Sequence, residues 1–152
     1  MILTDTFYSD EENALSEEFL RHGYVVKPVA DRSALDAMRT EVVNLVCSYL
    51  NLDFPDEVGL FLNRIQNFIP QPELNDLRLH LYKELNQCSW YRPTYFKLAR
   101  PYIESLVGNE LAMQNRINLS IQLPNDDSSL LTIHTDLYGG ETPFQIVEWI
   151  PF

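Results

Sequence analysis

Cysteine is scarce in this chain: Cys47 and Cys88 are the only two among 152 residues. A disulfide framework that staples a small secreted domain needs more cysteines at tighter spacing. Both are therefore read as reduced thiols. Basic residues are also few. Lys and Arg total 11 against 22 Asp and Glu, a formal net charge of −11. Such a chain repels phosphate backbones and anionic bilayers, which argues against unspecific nucleic-acid binding and membrane adhesion. Long apolar runs are missing too. No window approaches the roughly 18 apolar residues of a membrane-spanning helix. The acidic N-terminus lacks the continuous apolar stretch of a signal peptide, so the expected compartment is the cytoplasm. What is there is ordinary: 45% hydrophobic and 22% charged residues place the chain among globular proteins rather than disordered ones.

The first dozen residues are polar and read as loose. Leu15 to His22 reads as a short helix ended by Gly23, and Tyr24 to Val29 as a short strand. Asp31 and Ser33 are candidate N-caps for a helix reaching Leu50, whose apolar residues Leu35, Met38, Val42, Leu45, Val46 and Tyr49 recur every three or four positions. Val58 to Phe68 reads as helical or mixed. Glu73 to Asn86 carries Leu74, Leu77, Leu81 and Leu85 at helical spacing. Trp90 to Val107 reads as two short helices split before Pro101.

The pattern changes after Gly108. Arg116 to Leu123 alternates polar and apolar, the cleanest strand signal in the chain. Leu130 to His134 and Phe144 to Phe152 read as two further strands, separated by turns. The expectation is thus a mainly helical region over 1–110 and a strand-rich region over 111–152. The chain stops inside the last, apolar strand, whereas termini are usually polar and frayed. That reads as an incomplete chain: either a small sheet on helices, or the opening of an eight-stranded jelly roll.

The second strand runs into His134-Thr135-Asp136. On an extended chain residues two apart share a face, so an imidazole and a carboxylate can meet one metal ion. This pair plus a distant histidine makes the facial set of non-haem Fe(II) oxygenases. By itself His-x-Asp recurs by chance; the surrounding residues make it specific. Asn118 to Pro124, Asp127 to Leu131, His134 to Asp136, Gly140 to Phe144 and Val147 to Pro151 together resemble one group of 2-oxoglutarate/Fe(II)-dependent oxygenases. The group lies near the phytanoyl-CoA dioxygenase type and accompanies surface-carbohydrate biosynthesis. Leu74 to Arg78, Leu106 to Gln114 and the opening around Gly23 to Val26 are similar to it as well.

The resemblance implies an α+β fold, with N-terminal helices flanking the first strands of a double-stranded β-helix of the jelly-roll kind and the later strands missing. It implies Fe(II) held by His134 and Asp136. It also implies 2-oxoglutarate as cosubstrate and hydroxylation of a small, carbohydrate-related molecule. The family's second histidine and its 2-oxoglutarate-binding arginine have no counterpart after Asp136. The chain therefore reads as the N-terminal part of an oxygenase, inactive alone. His22 and His80 lie in other elements and read as bystanders.

Asn118 and Gln122 share the polar face of the first strand and are candidate cosubstrate contacts, against an ordinary exposed strand face. Tyr138 and Thr142 are candidates for the site's mouth. Lys97 and Arg100 read as solvated helix charges, and the aromatics of Tyr91 to Phe96 as core. Two competing functions remain open: a non-catalytic binding or interaction module, and an unrelated metal hydrolase using His134 and Asp136. A truncated jelly roll would expose a sheet edge, through which copies would associate.

Overall fold

Asp31 starts the longest helix. Its Oδ1 accepts from the Ala34 N–H at 2.9 Å and from Ser33 Oγ at 2.7 Å, satisfying a helix-end donor that water would otherwise have to serve. In this computed structural model, which describes residues 7–127, 132–136, 140, 142 and 144–152, the helix so begun, α2, spans Arg32–Leu50. It ends at Asn51, whose φ of 54° is left-handed, a conformation that asparagine tolerates better than most residues.

Helix α1 spans Asp10–His22, so it starts five residues before the expected Leu15. The reason is a capping box. Ser9 Oγ accepts from the Glu12 N–H at 3.2 Å, and Glu12 Oε2 accepts from the Ser9 N–H at 2.8 Å. Helix α3 is the single turn Val58–Leu62, followed by 3-10 turns at Ile65–Asn67 and Gln71–Glu73. Helix α4 spans Leu74–Gln87 and α5 spans Tyr91–Val107.

Helix α5 is continuous, which corrects the expected split before Pro101. Proline removes one backbone donor and opens the turn before it. In the turn before Pro101 the carbonyl of Leu98 accepts from the Ala30 N–H at 2.7 Å. The bond ties the α1–α2 connection to α5.

Helix α2 packs against α3, α4 and α5, and α1 packs against α5. The core between them holds Met38, Val43 and Val46 of α2, Leu77, Leu81 and Leu85 of α4, and Leu98 of α5, all essentially inaccessible. Steps of four put Leu77, Leu81 and Leu85 on one face of α4, and Met38, Val42 and Val46 on one face of α2. Each such aliphatic side chain contributes about 2 kcal/mol by leaving water. No helix among the described residues is long and apolar enough to cross a membrane.

The expected α+β architecture is overturned. The described residues form five α-helices and no β-strand or sheet, so the double-stranded β-helix opening is not what these residues build. Tyr24 to Val29 has strand composition but no strand partner. Of the expected strand at Leu130 to His134, residues 130 and 131 lie outside the described residues, and the rest is not strand. Phe144 to Phe152 likewise forms no strand with any of the described residues.

The physical reason is clearest at Arg116 to Leu123. Its alternation holds: Ile117 and Ile121 are buried, Leu119 and Leu123 are half-buried, and Arg116, Asn118, Ser120 and Gln122 are exposed. A period of two reports a segment buried on one face; it does not supply a neighbouring strand. Helix side chains take that place. Asn86 Oδ1 accepts from the Ile117 N–H at 2.7 Å, and Asn86 Nδ2 donates to the Ile117 carbonyl at 3.0 Å. Arg78 donates to the Ile121 carbonyl. Arg92 donates from Nε to the Gln114 carbonyl at 2.7 Å and from NH2 to the Met113 carbonyl at 2.5 Å. The apolar side chains of this segment thereby join the helical core.

Two substitutions check this division of labour. Leu81→Ala, at the centre of the helical core, is expected to cost about 2–5 kcal/mol in urea unfolding. Asn86→Ala is expected to cost about 1–3 kcal/mol by orphaning the Ile117 backbone. It should speed Ile117 amide exchange while leaving the helical circular-dichroism signal unchanged.

Candidate metal centre

The turn at Asn125 and Asp126 is held from the helical side. Asp126 is buried, and its Oδ1 accepts from Gln71 Nε2 at 2.9 Å. Its Oδ2 stands 3.9 Å from the guanidinium of Arg78, the residue that also holds the Ile121 carbonyl. A buried carboxylate needs such partners to remain charged. Asn125, at φ 61°, makes the left-handed corner next to it, where asparagine is at home. The turn at Asp126 is thus anchored to the N-terminal part of α4 and the 3-10 turn before it.

His134 Nδ1 lies 2.7 Å from the Thr132 carbonyl oxygen. A carbonyl oxygen only accepts, so Nδ1 is the donor and Nε2 is the nitrogen left for a metal ion. That nitrogen is 3.5 Å from Asp136 Oδ1. The other carboxylate oxygen, Oδ2, accepts from Gln145 Nε2 at 3.3 Å. Both side chains are about half exposed, at 49% and 46%, so an ion from solution can reach them. Nε2 and Oδ1 face each other closely enough for one cation, a proton on the ring or a metal ion, to join them. A ligating imidazole that gives its other N–H to a carbonyl is the usual outer-shell arrangement of metal-bound histidine.

The expected pair therefore does converge on one point. Among the described residues no third His, Cys, Asp or Glu joins it. His22 sits at the end of α1 beside the Tyr24 ring, and His80 of α4 lies against the Tyr49 ring at 4.9 Å. Asn118 and Gln122 keep the exposed polar face assigned to them, and among the described residues no hydrogen bond joins either one to His134 or Asp136. Tyr138 lies outside the described residues. Thr142 Oγ1 accepts from the Phe144 N–H at 3.3 Å, a local turn contact. Arg100 pairs with Glu104 at 2.8 Å. Lys97 helps the Ala34 N–H and Ser33 Oγ hold the Asp31 carboxyl below its usual range.

Tyr91 is buried, and Tyr95 and Phe96 are half-buried, as core aromatics. Cys47 and Cys88 are free thiols. Burial pushes both thiols up, helped by Asp53 at Cys47 and by Glu41 and Glu84 at Cys88, so neither is an activated nucleophile. Two participants escaped the sequence reading. Thr132 follows the same two-residue period as the pair and was legible in principle; Gln145, nine residues beyond Asp136, carried no local signal.

Comparison with family models, with curated proteins and with solved structures finds no match to this chain.

The anchor can be tested apart from the metal pair. Asp126→Ala removes the acceptor of Gln71 and the charge opposite Arg78, and is expected to cost about 2–3 kcal/mol. Urea unfolding followed by circular dichroism measures this.

Proposed function

We propose that His134 and Asp136 are two ligands of an Fe(II) site, and that the chain carries this part of a 2-oxoglutarate-dependent oxygenase acting on a small, carbohydrate-related molecule. One observation carries the reading: the Nε2 lone pair of His134 faces Asp136 Oδ1 at 3.5 Å while Nδ1 is committed to the Thr132 carbonyl. An imidazole nitrogen beside a carboxylate oxygen suits a borderline divalent cation such as Fe(II). The sequence resemblance to 2-oxoglutarate oxygenases supports the choice of metal and cosubstrate. It does so through the residues flanking the pair.

In this reading the remaining donors come from outside the described residues. Bound iron would supply the place where 2-oxoglutarate and O₂ meet. The chain's own residues orient it. Thr132 fixes the imidazole tautomer, and Gln145 holds the carboxylate so that its other oxygen faces the ring. Asn118 and Gln122 are the proposed cosubstrate contacts, on the exposed polar face of their segment.

Anaerobic titration with Co(II), followed by visible absorption and calorimetry, tests the pair directly. Two ligands bind weakly, so a millimolar dissociation constant is expected. His134→Ala and Asp136→Ala should each weaken it at least tenfold. Folded protein that binds no Co(II), or variants that bind as the parent does, would overturn the metal reading. A non-catalytic interaction module would then take its place. Succinate released from 2-oxoglutarate with Fe(II), and lost in either variant, would extend the assignment from metal to cosubstrate.

A further inference from the structure

Residues 145–152 repeat the alternation of the 116–123 segment. Ile146, Glu148, Ile150 and Phe152 are half-buried, while Gln145, Val147, Trp149 and Pro151 are exposed. Ile150 and Phe152 pack against the helical core. An acid thus occupies an inward position between apolar neighbours. Its backbone is clasped: Tyr95 Oη on α5 donates to the Glu148 carbonyl at 2.6 Å. Its side chain is not, because Glu148 Oε1 is buried and has no hydrogen-bond partner. On ionising, the carboxylate forfeits hydration at that oxygen with nothing in return.

We propose that residues 145–152 form a proton-controlled strap on α5, docked while Glu148 is protonated and loosened when it ionises. The group facing Glu148 from α5 is Tyr95. Behind it along the same strip stand Tyr91 and Cys88, and Glu41 of α2, which acts on Tyr91. None of these is a cation that could hold the carboxylate in place.

Burial moves the Glu148 carboxyl from an ordinary 4.5 up to about 7. Docked, the group keeps its proton to near neutrality; released, it gives the proton up in the usual carboxylate range. The docked state therefore binds the extra proton. Docking is fully supported at pH values below the released pKa. It weakens as pH rises toward the docked pKa, and does not weaken further above it. Each pH unit in that window is worth up to a tenfold change in the docking constant.

Hydrogen exchange of the full-length chain, read by mass spectrometry on peptides covering 145–152 and corrected for intrinsic rates, gives the test. Protection is expected to fall on the order of a hundredfold from pH 5 to pH 7.5, while peptides of α2 and α4 stay unchanged. Glu148→Gln, neutral and of the same shape, should keep the docked protection at both pH values. Tyr95→Phe should lower protection at both. A parent whose strap is equally protected at the two pH values would overturn the proposal. So would a Gln variant that loses protection as the parent does, or a Phe variant that matches the parent.

Discussion

A single amide side chain, Asn86, answers both polar groups of the Ile117 backbone, the N–H and the carbonyl. Everything after α5 depends on contacts of this sort. A segment with one apolar face can be drawn onto a helical core by burial alone. Its backbone groups would still need partners, and an unsatisfied buried amide costs about 1–3 kcal/mol, comparable to what burying a whole aliphatic side chain contributes. Asn86, Arg78 and Arg92 meet that need from the helix surfaces. The turn that leads toward His134 inherits its position from the same helices, through Arg78 and Gln71.

The helical part was legible because its signals are local. Asp31 caps the residues that follow it, and the spacing of Met38, Val42 and Val46 describes one face of one helix. Ser9 and Glu12 form an equally local signature, so the early start of α1 could also have been read. Pro101 misled because a proline in a helix either ends it or opens it. Tertiary packing makes the choice: the α1–α2 connection, far away in sequence, bonds through Ala30 to the Leu98 carbonyl in the turn before Pro101.

The strand expectation failed for a related reason. Alternation at Ile117, Leu119, Ile121 and Leu123 correctly marks which side chains turn inward. Whether such a segment joins a sheet is decided by what lies beside it, and here a helix lies beside it. Nothing in the wording of α4 announces that Asn86 and Arg78 will bond to main chain 31 and 43 residues downstream. The His134–Asp136 pair was legible because a two-residue step is short enough for geometry to be implied. The tautomer that bares Nε2 was not, since it is set by a carbonyl whose direction only the folded chain reveals.

The distances along the chain spanned by these bonds also set an order of events. Turns of α2, α4 and α5 close through contacts four residues apart, whereas fixing Ile117 to Asn86 or Ile121 to Arg78 closes loops of 31 and 43 residues. Closing the longer loops costs more chain entropy, and they have little to gain until the helical surface that receives them exists. Helix α4 therefore forms before the 116–123 segment can dock on it. Interactions made after the rate-limiting step leave the folding rate almost untouched and act on escape from the native state. Where docking follows that step, Asn86, Arg78 and Arg92 are latches: they govern how long the folded chain lasts, not how quickly it forms.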